Sequence, residues 1–130
     1  LPPLIAWVRA QQQRLGVGPA ATALGGFSQG AILALAAALR EDGIAGRVLA
    51  FGGCLVAPPE AAPQHTTMHF FHGGGDEIIP ADGSRQALAW FGELQGDATL
   101  DIWNFSASGA TISQAENRKN SSPPSNDAEA

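Results

Sequence analysis

The chain has 130 residues, 45% of them hydrophobic and 15% charged, enough for one core and one domain rather than two. Seven Lys and Arg stand against twelve Asp and Glu, a formal net charge of −5, which excludes the basic face of a nucleic-acid binder and docking on an anionic membrane. No apolar run reaches the ~18 residues that span a bilayer, no leader pattern is present, and a single cysteine, Cys54, rules out an internal disulfide framework and fits a reducing, cytoplasmic setting.

The first predicted element is a helix over residues 3–15, with Leu4, Ile5, Val8 and Leu15 on one face. Pro3 suits its first turn, and Gly16, Gly18 and Pro19 stop it. "ATALGGF" (21–27) has the length of a buried strand. "QGAILALAAALRED" (29–42) is built from the strongest helix formers, with Gly43 as its left-handed stop. "RVLAFGG" (47–53) is a second strand, and "VAPPEAAPQ" (56–64) is a proline-rich loop. "TMHFFHG" (67–73) is a third strand and "GGDEIIP" a loop, with a helix from Ala81 to about Gln95 and a last strand at "ATLDIW" (98–103). Non-alternating strands separated by helices imply a mostly parallel sheet covered on both faces, a three-layer α/β/α sandwich. From Ser106 the chain turns polar, with Ile112 its one large aliphatic residue. The division expected is an α/β domain over 1–105 and a disordered tail over 106–130.

Gly26-Phe27-Ser28-Gln29-Gly30 matches G-x-S-x-G between a strand and a helix, the context of a nucleophile elbow. The expectation is that Gly26 and Gly30 lack side chains because the turn is tight. The helix N-terminus beneath Ser28 favours developing negative charge, and the Gln29 N–H is an oxyanion donor. The alternative is an ordinary turn with Ser28 as a helix cap. Asp76, after a glycine run, reads on its own equally well as a turn residue.

"LGGFSQGAILAL" resembles the elbow of the phospholipase/carboxylesterase family of α/β-hydrolases. "FGGCLVAPP" is similar to the family's next strand and pocket loop, and "MHFFHGGGDEIIPADGSRQAL" to the strand and loop that bear the triad acid. The resemblance runs from about residue 20 to 103. It implies a partial α/β-hydrolase fold, Ser28 as nucleophile, Asp76 as the acid that orients a histidine, and Cys54 and Leu55 at the substrate pocket. The implied reaction is hydrolysis of a carboxylic ester or thioester through an acyl-serine, with a small-molecule ester or acyl substrate as partner and no cofactor or metal.

The chain departs from the family pattern in two ways. It opens on Leu1 and lacks the strands and oxyanion loop expected before the elbow helix, and no histidine follows residue 72. Where the family has a Gly-His segment stand Ser106, Ser108 and Gly109, none of them a base near neutral pH. His65, His69 and His72 are the remaining candidates for a surrogate base. "His72-Gly73-Gly74-Gly75" follows the nucleophile, whereas the lipase oxyanion motif precedes it. The His65, His69, His72 spacing would suit a metal only on a helix, and this segment reads as strand. Trp7, Trp90 and Trp103 are expected in the core. The alternative to an enzyme is an inactive hydrolase-fold fragment or an interaction protein, with an open sheet edge that favours a homo-oligomer.

Overall fold

The structure, a computed structural model, describes residues 1–75, 80–105 and 112–119, by backbone alone from residue 103 onward. Helix α1 (Pro2–Leu15) starts on proline and stops at Gly16, whose φ of 66° is left-handed. A short turn at Pro19–Ala21 leads into β1 (Ala23–Phe27) and then α2 (Gln29–Arg40). Strands β2 (Arg47–Phe51) and β3 (Thr67–Gly73) are joined by residues 52–66, a crossover that contains no helix. Helix α3 (Ala81–Glu93) connects β3 to β4 (Ala98–Phe105), and β5 (Ile112–Lys119) ends the described chain.

Strands β1 to β4 run parallel in sequential order, and β5 pairs antiparallel with β4. The α/β class and the mostly parallel sheet are as the sequence implies. Residues 112–119, assigned to a disordered tail, form β5. An edge strand can satisfy the backbone groups of β4 without apolar side chains, so composition alone misjudged it. The described helices α2 and α3 lie on one face of the sheet.

The register shows the one-sided cover. Gly26, Ala50, Phe70 and Leu100 form one row across the sheet and point to the same face. On that face Phe70 meets Phe91 of α3, ring centroids 6.0 Å apart, and Gly26 lies against the first turn of α2. Leu35 and Ala38 of α2, Val48, Met68 and Ile102 of the sheet, and Leu88 of α3 complete a continuous core. The opposite face carries Phe27, Leu49, Phe51, His69 and Phe71, none of them buried. Phe27 is 76% exposed there, and Phe51 stacks on Phe71 at 4.7 Å.

Helix α1 joins the core through Val8, with Leu4 and Ile5 partly buried against it. The buried Gln12 fixes its other end, donating through Nε2 to the Ile44 carbonyl at 2.7 Å and to Thr22 Oγ1 at 3.2 Å. Leu15 lies beyond this last buried position and is 60% exposed, and Trp7, expected in the core, is 61% exposed. Trp90 is half-buried.

The loop after α2 and the crossover loop are held together by Asp42. Its carboxylate accepts from the Gln64 and His65 backbone N–H groups, each at 2.9 Å, and lies 3.2 Å from His65 Nδ1. Burial alone would raise the Asp42 pKa, but the hydrogen bonds from Gln64 and His65 outweigh it and hold the carboxyl below its ordinary 3.8. A depressed folded-state pKa stabilises the fold above the unfolded value, and the contribution is lost as pH falls through the folded value. Asp42→Ala is therefore expected to lower the urea midpoint at neutral pH. The gap to the parent is expected to close below the ordinary carboxylate value, which midpoints measured across an acid series will show.

Candidate active site

The first site element is the turn between β1 and α2. Ser28 is held at φ 53°, ψ −114°, a conformation that a residue with a side chain adopts only under constraint. The constraints on either side are visible. The Ser28 N–H donates to the Phe51 carbonyl at 2.8 Å, tying the turn to the end of β2, and the Ser28 carbonyl accepts from Ile32 at 3.1 Å, starting α2. The hydroxyl makes no cap hydrogen bond to the helix. A serine recruited as a helix cap has its side chain engaged with the N–H groups of the first turn and a φ in the β region. Ser28 has neither, so the capping alternative does not describe this turn.

The two glycines of the motif differ. A Cβ on Gly26 would lie 2.3 Å from the backbone carbon and oxygen of Gly30 and 2.6 Å from the Ala31 nitrogen. The strand and the helix touch backbone to backbone at this point, and only glycine permits it. A Cβ on Gly30 would meet nothing within 4 Å. The expectation that both positions must lack side chains thus holds for Gly26 and is corrected for Gly30. Gly30 supplies the backbone that Gly26 meets, and its own missing side chain would point into open space.

Gln29 opens α2, and the N–H groups of a first helical turn have no partner within the helix. They face the end where the helix dipole is positive. Ser28 therefore stands at the C-terminal ends of the parallel strands, beside a helix N-terminus. This is the edge of an open α/β sheet at which ligands bind in folds of this type.

The loop after β2 reaches the same edge. A Cβ on Gly53 would lie 2.6 Å from the Ala31 Cβ, so this loop packs directly on the first turn of α2. Cys54, next along, is half-buried and free, and a Cβ on Gly83 would come within 3.1 Å of its Cβ. Leu55 is partly buried against the core. Gly73 ends β3 at the same edge, and Asp76, which follows, lies outside the described residues.

The three histidines are dispersed. His65 precedes β3 at the opposite end of the sheet and is held by Asp42. His69 sits on the uncovered face, with Arg47 donating to its Nε2 at 2.8 Å and Thr99 Oγ1 2.8 Å from its Nδ1. Burial, followed by the Arg47 charge, lowers its pKa. His72 lies at the same end of the sheet as Ser28 but points into the helix-covered face, where it is 2% exposed. Among the described contacts none of the three hydrogen-bonds Ser28. His69 and His72 fall on opposite faces of β3, as the strand reading requires. Sequence reasoning missed the partner of His72: its Nδ1 lies 2.6 Å from the buried Ser84 Oγ of α3.

Comparison with known proteins follows this geometry. The profile of the family described as Phospholipase/Carboxylesterase matches residues 2–111. The chain belongs to this family. It is 47% identical over 105 residues to the esterase YpfH of Escherichia coli (strain K12), covering 78% of this chain and 44% of that protein. The crystal structure of esterase PE8 superposes with a TM-score of 0.72 at 37% identity, covering 81% of this chain and 50% of that one. A thermostable esterase, at 15% identity and a TM-score of 0.69 over 82% of this chain and 30% of its own, shares the fold. The chain thus spans about half or less of the length of these relatives. Among the described residues, no helix is long and apolar enough to cross a membrane.

The asymmetry of the elbow glycines gives a direct test. Gly26→Ala forces a Cβ into backbone that cannot yield and is expected to cost about 3 kcal/mol or more. Gly30→Ala is expected to be neutral or to stabilise by up to about 1 kcal/mol, since alanine is the better helix former. Denaturant unfolding of the two variants measures both.

Proposed function

We propose that the chain carries the nucleophile and acid of a serine hydrolase that cleaves carboxylic esters or thioesters through an acyl-Ser28 intermediate. The observation that carries this reading is the strained, uncapped Ser28 at the head of α2. In the proposed reaction Ser28 Oγ loses its proton to a base and attacks the substrate carbonyl carbon. The carbonyl oxygen becomes an oxyanion facing the Gln29 N–H, and the tetrahedral intermediate collapses with departure of the alcohol or thiol. Water then cleaves the acyl-serine. Asp76 has the role of holding a histidine in the tautomer that accepts the serine proton. The position of Gly73 at the Ser28 end of the sheet supports this assignment. Cys54 and Leu55, in the loop that packs on the first turn of α2, border the acyl group in this reading, which favours a small apolar substrate. The chemistry needs no cofactor or metal. A reducing, cytoplasmic setting suits the single free thiol.

No histidine follows residue 72 in these 130 residues, so in this reading the base is an imidazole outside residues 73–130. A second reading, a hydrolase-fold chain that associates instead of catalysing, draws on the uncovered sheet face with Phe27 and Phe51 exposed. Such a face favours a homo-oligomer.

Intact-mass labelling with a fluorophosphonate separates the two readings. The expected result is slow labelling of the parent, none of Ser28→Ala, and acceleration by added imidazole. A folded parent that stays unlabelled with and without imidazole would contradict the nucleophile assignment and favour the second reading.

A further inference from the structure

We propose that His72 and Ser84 form a buried clasp that holds together the end of β3 and the start of α3, the neck of the connection between them, and ties both to the turn that carries Ser28, making His72 a positioning residue. The proposal rests on the role given above to Ser28.

His72 is next to last in β3, and Ser84 lies in the first turn of α3. The clasp joins the two elements directly, near Gly73 at the end of β3 and Ala81 at the start of α3. His72 Nδ1 and Ser84 Oγ are 2.6 Å apart, twelve residues apart in sequence, and 2% and 0% exposed. Polar side chains buried so completely are costly unless paired, and these two find each other across the loop neck.

The link continues toward Ser28. Ser84 Oγ lies 3.3 Å from the Gly53 carbonyl and donates to it. Gly53 packs on Ala31, three residues after Ser28, so closely that a Cβ there would lie 2.6 Å away. The end of β3, the start of α3, the loop after β2 and the first turn of α2 therefore meet through one chain of contacts, His72–Ser84–Gly53–Ala31. A shift of the end of β3 against the start of α3 must break a buried hydrogen bond or move the turn that holds Ser28. His72 faces the helix layer and is 2% exposed, and its proposed effect is on the geometry of the turn that holds Ser28.

The test uses Ser84→Ala, His72→Phe and His72→Asn. Asparagine keeps a hydrogen-bonding group at the Nδ1 position, and phenylalanine keeps the ring without it. Backbone hydrogen exchange at residues 52–55 and 81–85 reports opening of the neck. Loss of a buried hydrogen bond is expected to speed exchange there about tenfold in Ser84→Ala and His72→Phe. His72→Asn is expected to stay within about twofold of the parent. Fluorophosphonate labelling of Ser28 is expected to slow in the same two variants and to recover in His72→Asn. Unchanged exchange in Ser84→Ala, or a His72→Asn as damaging as His72→Phe, would overturn the clasp. The exchange result does not depend on Ser28 reactivity, so an unlabelled parent would sink the nucleophile assignment alone.

Discussion

Everything at the candidate site depends on one backbone contact, that of Gly26 with Gly30. The last residues of β1 approach the first turn of α2 so closely that no Cβ fits at Gly26. With strand and helix in contact, the residue between them has no ordinary conformation available, and Ser28 is driven to φ 53°. Such a backbone costs about 1–3 kcal/mol. The surrounding structure over-determines it: the Ser28 N–H is held by Phe51 at the end of β2, and its carbonyl begins the helix. The result is a hydroxyl raised at the strand ends, beside N–H groups that the helix itself cannot satisfy.

The uncovered face follows from the same topology. Helices α2 and α3 both return on the side where Gly26, Ala50, Phe70 and Leu100 point, so the apolar residues of that row are buried and Phe27 and Phe51 are not. A parallel sheet ordinarily has both faces covered, and its strands then read as continuous apolar runs. The sequence of β1 and β2 is of that kind, which is why cover on both faces is expected from it. Their apolar character records a face suited to burial, while the burial itself is absent among the described residues. Trp7 misled for a related reason: one aromatic on an amphipathic helix says nothing about how far around the helix the core reaches. The polar sequence of β5 hides a strand that pairs antiparallel with β4.

The local geometry of the Ser28 turn was legible where its contacts are local. The glycine before Ser28, the Ala-rich helix after it and the short strand ahead are neighbours in sequence, and their geometry follows from sterics. Gly30 shows the limit, since its place in the motif suggested a clash that the structure assigns to Gly26 alone. The pairing of His72 with Ser84 was not legible. Ser84 is a lone small polar residue on a helix stripe otherwise formed by Ala81, Ala87, Leu88 and Phe91, and only the folded register brings His72 onto it. A serine on an otherwise apolar stripe, with a histidine at the end of the preceding strand, is the signal that could have pointed there.

The account stands or falls on the strain at Ser28, and the direct measurement is the unfolding free energy of Ser28→Gly against Ser28→Ala. Both remove the hydroxyl, so any contribution of that group cancels between them. Glycine occupies a positive φ without penalty, whereas alanine keeps the clash of its Cβ. Ser28→Gly is predicted to be the more stable by about 1 kcal/mol or more, despite the greater chain entropy of glycine in the unfolded state. A more stable Ser28→Ala would mean that the turn is relaxed and that no elbow holds this serine.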